Sequence, residues 1–597
     1  EQAWLGSLEL LNNWGKVLGL LPWIEEDLGE TVEKVSLKGA QGAFAIPGKF
    51  DIMIMNPPFT RPTYRGKKKI LEKEKRSFFG FISDEDTREK LRRRYKVVIG
   101  KVAEGLRKIA EETLPEIGGV IRDLVEGREE KLKQYLNIGL AGEALPFLYL
   151  AYKYVGKDGV IAFVLPRAAL AGVSWFLARL MLASKFHLRY VIISTDTEGG
   201  YNFSEGASLS EVLIVAKRTD EHDPDEKTVF VILTKKPKTA LEGIMLAEEI
   251  KRALRKGEAS VSLSTGASCM LREVPRSLLL RHVDNWNRFV AIPDPWLIDY
   301  TFNFLAQGEI DVGNACIKVP LTRLMNLLKT VCVKRKRGKK SVEVAVKGIG
   351  IDTHQFGDLY KWAPGSPYPA LRGTEEKYRL AMKVEPNAYI VPRSAEVQEK
   401  AVNTFDAFAG RVLVPGVNIW WSTSHVIALY SDQRMLSNTH YALRLDVNED
   451  IEIYAEKALV LWLNSTWGLL TMLINREETR GPWTQIKMGQ WMLMPVLNIK
   501  ALDIATLKRL AAVFDACAVR APKRIPGQFD PKSPDPVRLD IDMGLLKALR
   551  PDLKEESIRR HLLRLYRHVD VALKFWIGGV KVGAGGAITL NTFKKSN

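Results

Sequence analysis

The stretch FDIMIMNPPF, positions 50–59, constrains the fold of this 597-residue chain more than any other. Its first six residues hold one charge, Asp51, among apolar side chains, and positions 52–55 read as a strand. Pro57 and Pro58 then remove two backbone donors and fix two φ angles, so no strand ladder runs past Asn56. An ordinary strand end needs neither proline. The pattern is that of a rigid corner, with an amide on one side and an aromatic ring, Phe59, on the other.

Further strand patterns lie at 160–165, 190–194 and 212–216, and helical patterns at 143–155 and 174–185. Strands alternating with helices predict an α/β sheet that is at least partly parallel. Between the first two strands lies a charged insertion, 60–134, with GKKKILEKEKR and EKLRRRYKVV, which reads as long solvated helices. KRTDEHDPDEKT, 217–228, is a polar connector, and a short strand and a helix follow to about 256. From there to 496 the chain is strand-rich, with many turn residues and tryptophans, and the run KRKRGKK, 334–340, reads as an exposed loop. Helices follow, interrupted by PKRIPGQFDPKSPDP, and the tail GGVKVGAGGAITL reads as a Gly-rich hairpin or a frayed end. At this length three or four domains are expected.

The 88 Lys and Arg against 70 Asp and Glu give a net charge of +18, and a basic surface attracts polyanions, nucleic acid above all. Cys269, Cys316, Cys332 and Cys517 are far apart with no CxxC pair, so no metal site is expected and a reducing cytoplasm is the expected compartment. The start, EQAWLGSLELLNNW, lacks both an initiator Met and a basic segment leading an apolar one. It is expected to be a fragment or a processed product without a signal peptide. The uncharged window 458–475 has membrane-span length, but Asn464, Ser465, Thr466 and Gly468 interrupt it. A buried helix ending near Asn464, followed by a second buried segment, is expected there, and no membrane span.

The corner at Asn56 suits one chemistry. The lone pair of a nucleobase amine is delocalised into the ring, so an enzyme must make the nitrogen more sp³-like as it attacks. Two acceptors beside the NH₂ group do this, and the Asn56 side-chain oxygen and the Pro57 carbonyl are suitable ones, held by the fixed proline φ angles. Phe59 can lie flat against the base. In average composition, Asn-Pro-Pro-aromatic arises by accident in roughly one chain of this length in two hundred.

FDIMIMNPPF resembles the catalytic motif of the S-adenosylmethionine-dependent amino-methyltransferases. YVGKDGVIAFVLPRAAL, 154–170, looks like the helix–turn–strand that follows in the N6-adenine DNA methyltransferases, and YNFSEGASLSEVLIVAKR, 201–218, resembles their last catalytic-domain hairpin. The resemblance implies a partial Rossmann-like methyltransferase sheet within 1–256, with Asn56, Pro57, Pro58 and Phe59 catalytic and Asn56 and Pro58 also touching the cofactor. Phe203 matches the aromatic that stacks on the flipped base. EKALVLWLNSTWGLL, REETRGPWTQIKMGQWMLMPV and DPVRLDIDMGLLKAL resemble later parts of large methyltransferases of restriction-modification and phage-defence systems. They imply a mixed, strand-rich target-recognition domain over 257–496 and a helical C-terminal segment over 497–597.

Double-stranded DNA is therefore the expected partner. Trp420, Trp421 and Trp483 are aromatics beside polar groups, Arg476 and Arg480 are candidates for guanine edges or phosphates, and Lys334, Arg335, Lys336 and Arg337 for phosphates. The family's cofactor pocket is built mostly before its catalytic motif, yet only 55 residues precede Asn56. None of them forms an FxGxG-like turn, and Asp27 and Glu30 are the substitutes for the usual acidic residue. A missing N-terminal region or a second chain is expected to complete the pocket, and other defence-system subunits are further candidate partners. No nuclease motif stands out. RNA guanine-N2 methylation, protein glutamine-N5 methylation and a catalytically silent DNA-binding subunit remain alternatives.

Overall fold

The computed structural model describes residues 49–57, 85–125 and 135–590, the last with short gaps, among them 205–209, 374–378 and 583–587. The first strand, β1 (Phe50–Met55), stops at Asn56, where the prolines end the ladder. With β2 (Val155–Pro166), β3 (Phe186–Ser194), β4 (Glu211–Arg218), β5 (Lys227–Lys235), β6 (Ser260–Ser262) and β7 (Ser268–Pro275) it forms a seven-stranded sheet in the order β1-β2-β4-β3-β5-β7-β6. The sheet is mixed: β1 runs parallel to β2 and β3 to β5, whereas β7 runs antiparallel to β5 and β6. The expected α/β class and its partly parallel character are thus present. The sheet continues to Pro275, past the boundary drawn at 256.

Two compact units divide the chain. The first takes the described residues up to Val164, with Val173–Arg189 and Ile214–Glu226; the second takes Leu165–Gly172, Tyr190–Leu213 and the described residues from Lys227 on. In the first unit, α1 (Glu85–Val125), α2 (Ala144–Tyr154) and α3 (Phe176–Lys185) are helices. The expectation of solvated helices in the charged insertion holds for only part of the α1 surface. Val102, Leu106, Ile109, Ala110 and Thr113 recur at helical spacing and are buried, and α1 packs on α3. Gly159 lets β2 approach β1, since a Cβ there would meet the Phe50 carbonyl oxygen at 2.9 Å.

In the second unit, α4 (Ala240–Lys256) lies between β5 and β6 in sequence, opened by the Thr239 hydroxyl and closed by the left-handed Gly257. A hairpin of β8 (Thr330–Arg337) and β9 (Lys340–Lys347) stands where an exposed loop was expected. One apolar core takes side chains from Ala291 to Leu573, including those of α5 (Gln398–Phe408), α6 (Glu449–Asn464), α7 (Thr466–Asn475), α8 (Pro536–Leu549) and α9 (Glu555–Ile577), so no break in packing falls at 496. The tail strands Val580–Val582 and Ile588–Leu590 pair antiparallel, the hairpin reading of that segment.

The uncharged window 458–475 is a bent pair of buried helices, α6 and α7, meeting at 66°. No single helix among the described residues is long and apolar enough to cross a membrane. The polar residues at the bend are satisfied. Asn464 accepts from the amides of Ile427 (2.8 Å) and Ala428 (3.3 Å) and donates to the carbonyls of Ala428 (2.8 Å) and Val460 (3.0 Å). The Ser465 side chain caps α7. Asp542 accepts from the Thr466 amide at 2.8 Å, the Thr466 hydroxyl and the Tyr566 hydroxyl at 2.7 Å. Burial pushes its carboxyl above the ordinary range. Asn464→Leu keeps the volume but leaves two amides and two carbonyls short of a partner. It is expected to cost about 2–5 kcal/mol, read as a lowered denaturation midpoint at unchanged m-value.

Candidate functional site

Asn56 follows β1 directly and is exposed, while Pro57 is buried. The corner therefore has one end packed and its amide-bearing residue at the surface. Pro58 and Phe59 lie outside the described residues, as do Asp27 and Glu30. Within the sheet of described residues β1 is an edge strand, and its Ile52 and Ile54, on one face by the two-residue alternation, are 65% and 78% exposed.

Phe203 belongs to the second unit. It is half-buried and packs on a core cluster of β5, α4 and β7 residues, including Val231, Leu246 and Leu271. The loop that carries it is pinned at both ends by buried acids. Asp196 accepts from the amides of Glu198 (3.0 Å) and Gly199 (2.9 Å) through one oxygen and from the Lys236 amide (2.9 Å) through the other. The Lys236 ammonium reaches the Asn202 carbonyl at 2.7 Å. At the far end, Glu211, fully buried at the start of β4, uses Oε2 to accept from the Phe203 amide (2.6 Å), the Ser204 amide (2.8 Å) and the Ser204 hydroxyl (3.0 Å). Its own amide donates to the Tyr201 carbonyl at 3.0 Å. One carboxyl thus fixes the backbone on both sides of the Phe203 side chain. Arg167, just after β2 and buried, adds a third tie: its amide donates to the Ser210 carbonyl (2.8 Å) and its Nε to Asn287 (2.9 Å).

Sequence reasoning missed Asp196, Arg167 and Glu211. The signal for Glu211 was an acid opening an apolar strand, SEVLIVAK, where an unsatisfied charge would be costly.

Of the DNA-contact candidates, two are corrected. Trp421 is wholly buried and its indole donates to the Thr484 hydroxyl at 2.9 Å, so it is a core residue. Arg476 is 1% exposed and follows α7, where its guanidinium donates to the carbonyls of Leu473 and Ala291, both at 2.7 Å; it closes a helix end and reaches no surface ligand. Three of the remaining seven lie on one small sheet. Trp420 lies on β10 (Ile419–Trp420), Arg480 on β11 (Glu477–Arg480) and Trp483 on β12 (Trp483–Gln485), and in this small antiparallel sheet Trp483 is the register partner of both Trp420 and Arg480. Lys334, Arg335, Lys336 and Arg337 are successive residues at the distal end of β8. Among the described residues no group of three or more His, Cys, Asp or Glu is placed to hold a metal ion.

The sequence matches no protein-family model and no curated protein. Among solved structures, the type IIG restriction endonuclease BpuSI aligns at 16% identity and a TM-score of 0.28, over 77% of this chain and 52% of that one. A type I restriction-modification methyltransferase subunit from Streptococcus thermophilus aligns at 15% identity and a TM-score of 0.21, over 42% of this chain and 39% of its own. The chain thus spans about half of the first and less of the second. Both scores are too low to establish a shared fold, so the functional reading rests on this chain's own residues.

Glu211→Ala removes the shared acceptor of three donors and is expected to speed amide exchange of residues 201–204 about ten- to a hundredfold. Hydrogen exchange read by mass spectrometry checks this; unchanged exchange would mean that the loop is held by other contacts.

Proposed function

We propose that this chain is part of a DNA amino-methyltransferase that methylates the N6 amine of an adenine flipped out of the duplex, as the modification component of a restriction or phage-defence system. The observation that carries the reading is the corner after β1: Asn56 is exposed at the end of a strand that runs parallel to its neighbour, with Pro57 packed behind it. In α/β sheets, ligands bind beyond the carboxyl ends of such strands. Had Asn56 been sealed in the interior, no base could reach its amide.

In this reading the Asn56 side-chain oxygen and the Pro57 carbonyl accept the two amine hydrogens. That draws the nitrogen lone pair out of conjugation and fixes its direction. The methyl donor of the family, S-adenosylmethionine, supplies an electrophilic methyl group on sulfonium. Of the residues that the resemblance assigns to this donor, Asn56 is exposed after β1 and Pro58 lies outside the described residues. The exposed Ile52 and Ile54, on an edge strand among the described residues, suit pairing with a further segment or another chain. Phe203, carried over from the resemblance, is the aromatic assigned to the base. Trp420, Arg480, Trp483 and the basic residues of β8 are assigned to the duplex.

The net charge of +18 suits equally a second reading, a DNA-binding subunit that transfers nothing. Incubating the complete protein with labelled S-adenosylmethionine and duplex DNA separates the two. Asn56→Ala is expected to lower methyl transfer by about 10²- to 10³-fold while DNA affinity stays within experimental error. Unchanged turnover in that variant would remove the mechanism. Binding without transfer in the parent protein would leave the subunit reading.

A further inference from the structure

The outer face of α9 takes no part in the site described above. Between Ser557 and Val569 the helix carries four arginines, Arg559, Arg560, Arg564 and Arg567, and no acid. All four are exposed. Arg560, Arg564 and Arg567, spaced i, i+4 and i+7, fall on one stripe, with Arg559 beside it. The opposite face holds the helix in place: Ile558, Leu562, Leu565, Tyr566, Val569 and Leu573 are buried in the core. Further along, the buried Asp570 accepts from Lys574 at 2.6 Å, so that acid is matched within the helix and takes no charge from the stripe. Arg560 contacts Glu556 at 2.8 Å, but the two side chains are 78% and 84% exposed, and water and salt screen such a pair. Among the described residues no carboxylate pairs with Arg559, Arg564 or Arg567. Arg564 is also held in position. Its guanidinium carbon lies 5.1 Å from the Trp296 ring centre, and Trp296 stacks on Tyr300 (5.1 Å) and on His568 (4.1 Å). His568 in turn lies 3.0 Å from Asp294, the acid that caps the helix Pro295–Gln307. A guanidinium that meets a ring through its face keeps the N–H donors at its edge. The stack therefore orders the Arg564 side chain and leaves its donors turned to an outside acceptor.

Arginines in a row, with neither acids nor apolar anchors among them, suit a row of phosphates, which each guanidinium can bind through two donors. Among the described residues, none of the large exposed apolar side chains lies on α9, and a protein hot spot or a bilayer would need such an anchor. The apolar face that a membrane-surface helix inserts is here already buried in the core. From Arg560 to Arg567 the helix rises about 10 Å, and one strand of B-DNA carries a phosphate about every 3.4 Å along its axis, so the stripe covers about three phosphates. We propose that α9 docks along one strand of duplex DNA, with Arg560, Arg564 and Arg567 on neighbouring phosphates and Arg559 at the rim. The contact positions the duplex and reads no sequence. It rests on the reading of duplex DNA as the partner, and it adds the C-terminal helices to the surfaces assigned to that partner.

The test measures binding of the full chain to two labelled duplexes of unrelated sequence, with no methyl donor, by fluorescence anisotropy over a series of salt concentrations. Arg560→Gln/Arg564→Gln/Arg567→Gln is expected to weaken binding roughly tenfold or more on both duplexes alike. It is also expected to lower the slope of log affinity against log salt by about 2–3, at about 0.9 for each phosphate contact removed. Lys251→Gln/Arg252→Gln/Arg255→Gln takes the same charge from exposed positions of α4 and is expected to leave the slope nearly unchanged. Arg560→Gln/Arg567→Gln spares the Trp296 stack and decides the matter if the triple variant proves unstable, with a slope change of about 2 expected. An unchanged slope, an equal change in the α4 variant, a loss confined to one of the two sequences, or no duplex binding by the parent chain would each overturn the proposal. Stripe-dependent binding to phosphatidylserine vesicles with DNA affinity intact would overturn it in favour of a membrane. Methyl transfer by the parent with an unchanged slope in the stripe variant would sink the stripe alone. Stripe-dependent binding without methyl transfer would sink the methyltransferase reading alone.

Discussion

Two consecutive prolines without an N–H decide where β1 stops, and the rest of the functional account depends on that stop. A ladder that continued would pair the backbone of Asn56; the prolines instead end it and leave Asn56 at the surface with Pro57 packed behind. The approach of β2, made possible by Gly159, holds β1 in register from Ile52 to Met55 against Val160 to Phe163. Sequence, strand end and exposure thus converge on Asn56, the residue on which the proposed function rests.

A similar economy governs the second unit. Buried carboxyl groups organise its irregular parts: Asp196 and Glu211 hold the loop of Phe203, and Asp542 holds the bend between α6 and α7. Asp196 and Asp542 collect backbone or hydroxyl donors on both oxygens, and Glu211 collects three on Oε2, which is how a buried carboxyl is held in place. Loops fixed in this way lose little entropy when a ligand arrives, which suits the role proposed for Phe203.

Much of this was legible in the sequence. The first four strands of the sheet and the helices α2 and α3 fell close to their expected places because apolar periodicity and Gly/Pro punctuation agree there. The helix end at Asn464 was readable because a run of polar residues cannot sit mid-helix in a core without partners. The hairpin at 330–347 was hidden by its own charge. The alternation of Val331 with Val333, and of Val342 with Val344 and Val346, was present, but the dense Lys/Arg run between them reads as solvated loop. Trp421 and Arg476 carried no such warning. Whether a tryptophan or an arginine faces out depends on tertiary partners, here Thr484 for one and the carbonyls of Leu473 and Ala291 for the other.

The central claim concerns which atom accepts the methyl group. The most direct measurement digests DNA treated with the complete protein and S-adenosylmethionine to nucleosides and separates them by chromatography with mass detection. The account predicts N6-methyldeoxyadenosine as the new species. N4-methyldeoxycytidine in its place, or no methylated nucleoside from DNA under conditions where the donor is bound, would contradict it.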